Sequence, residues 1–118
     1  MTDPAVVADT PMTPLSHAIL LALAEQDLHG YALAQAVERE TGGVLRPGTG
    51  TLYAALQRLA DEGMIADSLD RPGPDEDQRR KYYRITDRGR SAARVEAARL
   101  QRVLALSSRR GLLPEETA

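Results

Sequence analysis

Gly48 to Gly63 reads GTGTLYAALQRLADEG, and the fold turns on this stretch. At helical spacing Leu52, Leu56, Leu59 and Ala60 share one face, while Thr51, Ala54, Gln57, Arg58 and Asp61 share the other. Pro47 and Gly48 break the chain just ahead, and Thr49 or Thr51 can cap the first turn. Gly63 supplies a left-handed residue to end the helix. The leading edge is small and hydroxylated: Gly48, Thr49, Gly50, Thr51, then Tyr53 one turn in. Such an end presents backbone N–H groups, hydroxyls and the positive end of the helix dipole without bulk in front, which suits a phosphate backbone or a groove. The same pattern also fits an amphipathic core helix with a polar outer face, so the flanking segments decide between the two.

Upstream, Thr13-Pro14 is a helix start, with Thr as cap and Pro at the first position. A helix runs from Leu15 to about Gln26 and is apolar on nearly every side from Ala18 to Ala24, which predicts burial all round, part of it against a second subunit. After a break at Asp27 to Gly30, a second helix spans Tyr31 to about Thr41, with Leu33, Ala36 and Val37 inward, and ends at Gly42-Gly43. Three helices joined by short breaks, the third with a small polar nose, follow the helix-turn-helix plan.

Downstream, Met64 to Leu69 and Arg79 to Ile85 read as strands, with Tyr82, Tyr83 and Ile85 favouring extended backbone. Asp70 to Gln78, DRPGPDEDQ, is a loop between them. Helix, helix, helix, hairpin is a winged helix, so the fold class is mainly α. Thr86 caps a last helix from Asp87 to about Arg109, roughly twice a typical length. Ala93, Ala97, Leu100 and Leu104 form its apolar stripe, with Ala92 and Val103 beside it and arginines around the outside. Nothing in the same chain except the first helix can cover such a stripe, so a homodimer is expected. Its interface would take Ile19, Leu20 and Leu23 from the first helix and Val95, Leu100, Val103 and Leu104 from the last.

The 118 residues allow one domain with a modest core. Phe, Trp and Cys are absent and four tyrosines are present, so the core must be aliphatic, and disulfides and cysteine nucleophiles are excluded. The longest apolar run, Ala18 to Ala24, is too short to span a bilayer, and Met1 to Pro14 has no signal-peptide pattern, so a soluble, cytoplasmic protein is expected. A net charge of −2 hides an asymmetry. Residues 1–78 hold four basic and thirteen acidic side chains, and residues 79–110 hold eleven basic and two acidic ones. The sign that matters to an anionic partner is therefore local.

No catalytic constellation is visible. Gly48-Thr49-Gly50-Thr51 lacks the Gly-Lys-Ser/Thr ending of a P-loop. His17 and His29 have no third ligand, so no metal or other cofactor is expected. Ser16-His17 lacks a partner carboxylate in any recognisable pattern. Arg79-Arg80-Lys81, opening the second wing strand, can reach phosphates or a minor groove, or can simply blunt an edge strand.

His29-Gly30-Tyr31, Gly50-Thr51-Leu52-Tyr53, LADEG at Leu59 to Gly63, and RRKYYRIT at Arg79 to Thr86 with Gly89 resemble the PadR family of transcriptional regulators, over Leu15 to about Leu106. The single long final helix is similar to the shorter PadR subfamily. The resemblance implies a homodimeric repressor that sterically covers double-stranded operator DNA. By position it implies DNA contacts from Tyr31, Thr49, Gly50, Thr51, Tyr53 and Gln57, with Arg80 and Lys81 serving the wing. Gln57 is the side chain suited to a bidentate adenine contact. Residues 1–13 become a disordered arm, 14–86 the winged-helix DNA-binding domain, 87–110 the dimerisation helix and 111–118 a tail.

Some short members of the family hold planar hydrophobic drugs between the long helices on a tryptophan. Here Leu100 stands at that position and Ala97 replaces a larger aromatic one turn before it. A pocket for a small hydrophobic effector would be lined by His17, Ala18, Glu96, Ala97, Leu100 and Leu104, whereas Leu and Ala favour a closed interface. The rival reading is a winged-helix module that binds protein instead of DNA, on the strength of its acidic first two-thirds.

Overall fold

The computed structural model describes residues 11–68 and 80–115. In chain order it contains α1 (Pro14–Glu25), β1 (Leu28–His29), α2 (Gly30–Glu40), α3 (Thr49–Asp61), β2 (Ile65–Asp67), β3 (Tyr82–Ile85) and α4 (Asp87–Arg109). This is a winged helix followed by one long helix.

Each helix starts where its local chemistry allows. Thr13 accepts the Ser16 N–H and sets Pro14 as the first residue of α1. Thr86 does the same for α4 by accepting the Gly89 N–H at 3.0 Å, and its own hydroxyl donates to the Gly63 carbonyl. Asp87 in the first turn and Arg109 in the last complement the dipole of α4. Gly63 carries φ +76 and turns the chain from α3 into β2. The expectation of a threonine cap on α3 is corrected: Gly48 is the cap, in extended backbone, with no side-chain hydrogen bond.

The three strands form one antiparallel sheet in the order β1-β3-β2, with Leu28 opposite Tyr83, His29 opposite Tyr82, and Ile65 opposite Ile85. β1 lies where the sequence reads only a break. Its two residues have no strand periodicity of their own and are extended because β3 pairs with them. The hairpin strands are shorter than expected, and Asp70 to Gln78, together with Arg79, lies outside the described residues.

One core holds the elements together. Leu33, Ala36 and Val37 of α2 and Leu52, Ala55, Leu56 and Leu59 of α3 meet Ile65, Tyr83 and Ile85 of the sheet and Ala92 of α4. Ala60 is exposed and Ala55 takes its expected place inside. The larger correction concerns α1. Ile19, Leu20 and Leu23 are 0 to 1% exposed within the single chain, packed into this same core, so they have no surface left for a dimer interface. α1 is central to its own subunit, touching α2, α3, α4 and β3. Burial is not all round: Leu21 remains 52% exposed. The arm expected at residues 1–13 is described only from Pro11, and Met12 packs against the core while its N–H donates to Glu96 Oε1 at 3.1 Å.

Candidate nucleic-acid interface

The nose of α3 is open. The first helical bond runs from the Leu52 N–H to the Gly48 carbonyl, so the amides of Thr49, Gly50 and Thr51 have no acceptor within the helix. All three residues are exposed, and a Cβ placed on Gly48 or Gly50 would meet nothing within 4 Å. The outward line continues through Ala54 to Gln57 and Asp61, all exposed. Gln57 Nε2 donates to Asp61 Oδ1 at 2.9 Å, which fixes the amide and leaves its oxygen and one N–H for an outside partner. Asp61 and Glu62 make the far end of α3 negative, so an approaching polyanion favours the threonine end.

The four tyrosines of a chain that has no Phe or Trp lie on α3, α2 and β3. Tyr53 lies with its phenol against Gly30 so closely that a Cβ there would collide with its hydroxyl, so glycine at the start of α2 lets the two helices meet. Tyr31 is 67% exposed and its ring lies parallel to that of His29, centroids 6.5 Å apart. Tyr82 meets His29 edge-on at 5.2 Å. Tyr83 is buried, which raises its phenol pKa against the lowering influence of Lys81.

His29 joins these parts. Its Nδ1 accepts the Ala32 N–H and caps α2, and its Nε2 faces Arg80 Nη1 at 3.1 Å. Lys81 pairs with Asp67 at 3.3 Å and lies 5.5 Å from the centre of the Tyr83 ring. Both wing cations are therefore docked at the start of β3. The sequence places His29 in the His29-Gly30-Tyr31 motif without indicating its contact with Arg80, and offers Asp67 no role beyond its charge. Antiparallel pairing places Asp67 opposite Tyr83, two positions from Lys81 and on the same face of the strand.

The residues expected at the long helices lie elsewhere. Val95, Leu100, Val103 and Leu104 are all exposed on α4, with Leu104 at 57%. Glu96 is buried, with Arg99 as its ion-pair partner; that pairing holds its carboxyl below the ordinary range, against the effect of burial. His17 has a buried Nε2 with no hydrogen-bond partner, Ala18 is half-buried and Ala97 is exposed. A cleft of about 500 Å³ lies between the start of α1, the end of α3 and the first half of α4; of the six expected pocket residues, Glu96 alone lines it. No helix among the described residues is long and apolar enough to cross a membrane.

Residues 19–95 match the description of the transcriptional regulator PadR-like family. The chain belongs to this family. Among solved structures it is similar to a transcriptional regulator from Clostridium thermocellum, 26% identical over 80% of this chain and 89% of that one, with a TM-score of 0.66. It is also similar to Bacillus subtilis PadR in complex with operator DNA, 30% identical, covering 71% of this chain and 46% of that one, with a TM-score of 0.57. A protein of transposon TN4556 from Streptomyces fradiae, described as uncharacterized, is 39% identical over 85 residues, and the chain spans 22% of its length. The matched span runs from α1 into the first half of α4 and so includes the PadR-like nose and sheet.

Proposed function

We propose that this PadR-like chain is a cytoplasmic, homodimeric transcriptional repressor that binds double-stranded operator DNA through the nose of α3. The observation that carries this is the outward line of Thr49, Gly50 and Thr51, with free helix amides, flanked by Tyr31 and Tyr53 and by the cations of β3. The operator complex of Bacillus subtilis PadR supports it. In this reading the amides and hydroxyls of Thr49 and Thr51, with the phenols of Tyr31 and Tyr53, fix the register on phosphates. Gln57 is the base reader, already oriented by Asp61. Gly50 contributes an absence of bulk.

The wing acts by exchange. Lys81 leaves Asp67 and Arg80 leaves the His29 ring when phosphates arrive, each trading a weak exposed contact for a charge-assisted one. Dimerisation uses the uncovered side chains Leu100, Val103 and Leu104, with Val95 on the other side of α4, and sets two noses about 34 Å apart for successive major grooves. Any small hydrophobic effector between the long helices would shift that spacing by binding one form better than the other.

Electrophoretic mobility shift with DNA from upstream of its own gene, over a range of salt, tests the reading. Affinity should fall steeply with salt, and Arg80→Ala with Lys81→Ala should flatten the slope by about one unit per lost phosphate contact. Intact dimers that bind no DNA at any salt would favour a protein-binding module, the reading that Asp61, Glu62 and Asp67 on the exposed surface support.

A further inference from the structure

We propose that His29 is a positioning residue for the wing: its imidazole either holds the Arg80 cation or releases it, and protonation releases it. The ring sits where three segments meet. Tyr31 of α2 lies parallel to it, centroids 6.5 Å apart, and Tyr82 of β3 meets it edge-on at 5.2 Å, so its plane is set from two sides. Each ring nitrogen then faces a donor. Nδ1 faces the Ala32 N–H at 3.3 Å, and Nε2 faces Arg80 Nη1 at 3.1 Å. A neutral imidazole has one acceptor nitrogen and one N–H, so it cannot accept from both. Capping α2 requires the Nε2–H form, which turns an N–H toward the guanidinium. Holding Arg80 requires the Nδ1–H form, which turns an N–H toward the Ala32 amide. The cap and the wing contact therefore compete for one lone pair.

Protonation ends the competition by ending both contacts. The imidazolium carries two N–H groups and a positive charge, so it neither caps a helix nor accepts from a guanidinium. Among the described residues, the charges facing the ring are the Arg80 guanidinium and the positive start of α2; the phenols of Tyr31 and Tyr82 are the other titratable groups against it. Imidazole changes charge between about pH 5 and 8, where neither phenol nor guanidinium does. An arginine pushed off the ring can serve a phosphate instead, so DNA affinity rises as pH falls. At neutral pH, DNA that draws Arg80 away lets Nδ1 keep the α2 cap. The DNA consequence rests on the proposed regulator reading; the choice of tautomer does not.

The chain has two histidines, His17 and His29, so NMR of nitrogen-labelled imidazoles in the full chain reads the tautomer directly, with His29→Asn assigning the signals. At about pH 8 and without DNA, Arg80→Ala should move His29 toward the Nε2–H form and slow hydrogen exchange at the Ala32 amide, because the cap has lost its competitor. An unchanged tautomer would overturn the proposal.

A mobility shift at fixed salt reads the consequence. Parent affinity should rise about fivefold per subunit from about pH 8 to about pH 5.5, the size of one exposed charged contact. His29→Asn keeps an oxygen for the Ala32 N–H but cannot titrate, so its affinity should stay flat, near the parent's acid value. Arg80→Ala should bind more weakly throughout and be equally flat. Parent affinity that is flat, or falls in acid, would overturn the proposal. So would a rise that persists in Arg80→Ala, which would put the phosphate contact on the imidazolium itself, or one that persists in His29→Asn, which would put the titration elsewhere. A chain that binds no DNA at any pH sinks the regulator reading, while the tautomer still decides the role of His29.

Discussion

The sheet end of the molecule and the far half of α4 solve the same problem in different ways. At the sheet end, the large side chains among the described residues rest on neighbours within their own chain. Tyr53 rests on Gly30, Tyr82 on His29, Lys81 on Asp67 and Tyr83. Beyond Glu96, α4 has no such neighbours: Leu100, Val103, Leu104 and Leu106 are all exposed. Neither helix propensity nor its arginines explain why a helix should keep four aliphatic side chains in water. The difference teaches that the winged helix is a finished unit, whereas the far half of α4 is an apolar surface that its own chain leaves uncovered, the surface to which the proposed dimer assigns a second copy.

The comparison breaks first under core truncation. Leu56→Ala removes a 1%-exposed side chain from α3 and should cost about 2–5 kcal/mol, at any protein concentration, in a chemical melt. Leu104→Ala should leave a melt at micromolar dilution nearly unchanged and lower it at high concentration, because in the proposed dimer its packing is intermolecular. Equal, concentration-independent losses would mean that α4 folds back on its own subunit. Next in size, Leu100→Glu with Leu104→Glu should yield well-folded monomers by sedimentation. DNA affinity should drop on the order of a hundredfold, since two linked noses lose their avidity. A monomeric variant with unchanged affinity would separate DNA binding from dimerisation.

The same contrast explains what could be read without coordinates. Caps are local chemistry, so Thr13 and Thr86 were legible, and α4 begins and ends at the expected Asp87 and Arg109. Leu33, Leu52, Leu56 and Leu59 are buried as expected, because period and burial agree there. α1 was misread for a physical reason. A helix that is apolar on all sides does not say which side its own subunit covers, and Ile19, Leu20 and Leu23 were given to a partner when α2, α3 and β3 already hold them. β1 was invisible because two residues become a strand only through β3. At the site, the exposed nose of α3 was legible from small and hydroxylated residues. The docking of Arg80 on His29 and of Lys81 on Asp67 was not, since both contacts join segments far apart in sequence.

A smaller effect sharpens the sheet end. Gly30→Ala puts a methyl where the Tyr53 phenol lies, so the half-exposed ring must swing off the start of α2. The expected stability loss is about 1–3 kcal/mol, in the range of overpacked sites. Gly30→Ala combined with Tyr53→Phe should recover part of it, because the colliding hydroxyl is gone. No recovery in the double variant would place the strain in the α2 backbone and not in the ring.

The smallest effect lies at the boundary between the two regions, where Glu96 ties α4 to the segment before α1. Its carboxylate is held by Arg99, by the Met12 N–H and by nearby His17, and these outweigh burial, so its pKa is lowered from the ordinary 4.5. A carboxyl whose folded pKa lies below its unfolded one binds fewer protons when folded. Its contribution is fully present above the unfolded value and is lost as pH falls through the folded value. Thermal melts of the parent chain should therefore fall off below about pH 4.5, beyond the loss shown by Glu96→Gln, which cannot titrate. Between pH 6 and 8 the two curves should run parallel, with the parent higher, because the glutamine keeps an oxygen for the Met12 N–H but not the charge for Arg99. Should the two curves run parallel down to pH 3, Glu96 would be a packing residue, and the near half of α4 would hold to its own chain through the contacts of Gly89, Ala92 and Ala93.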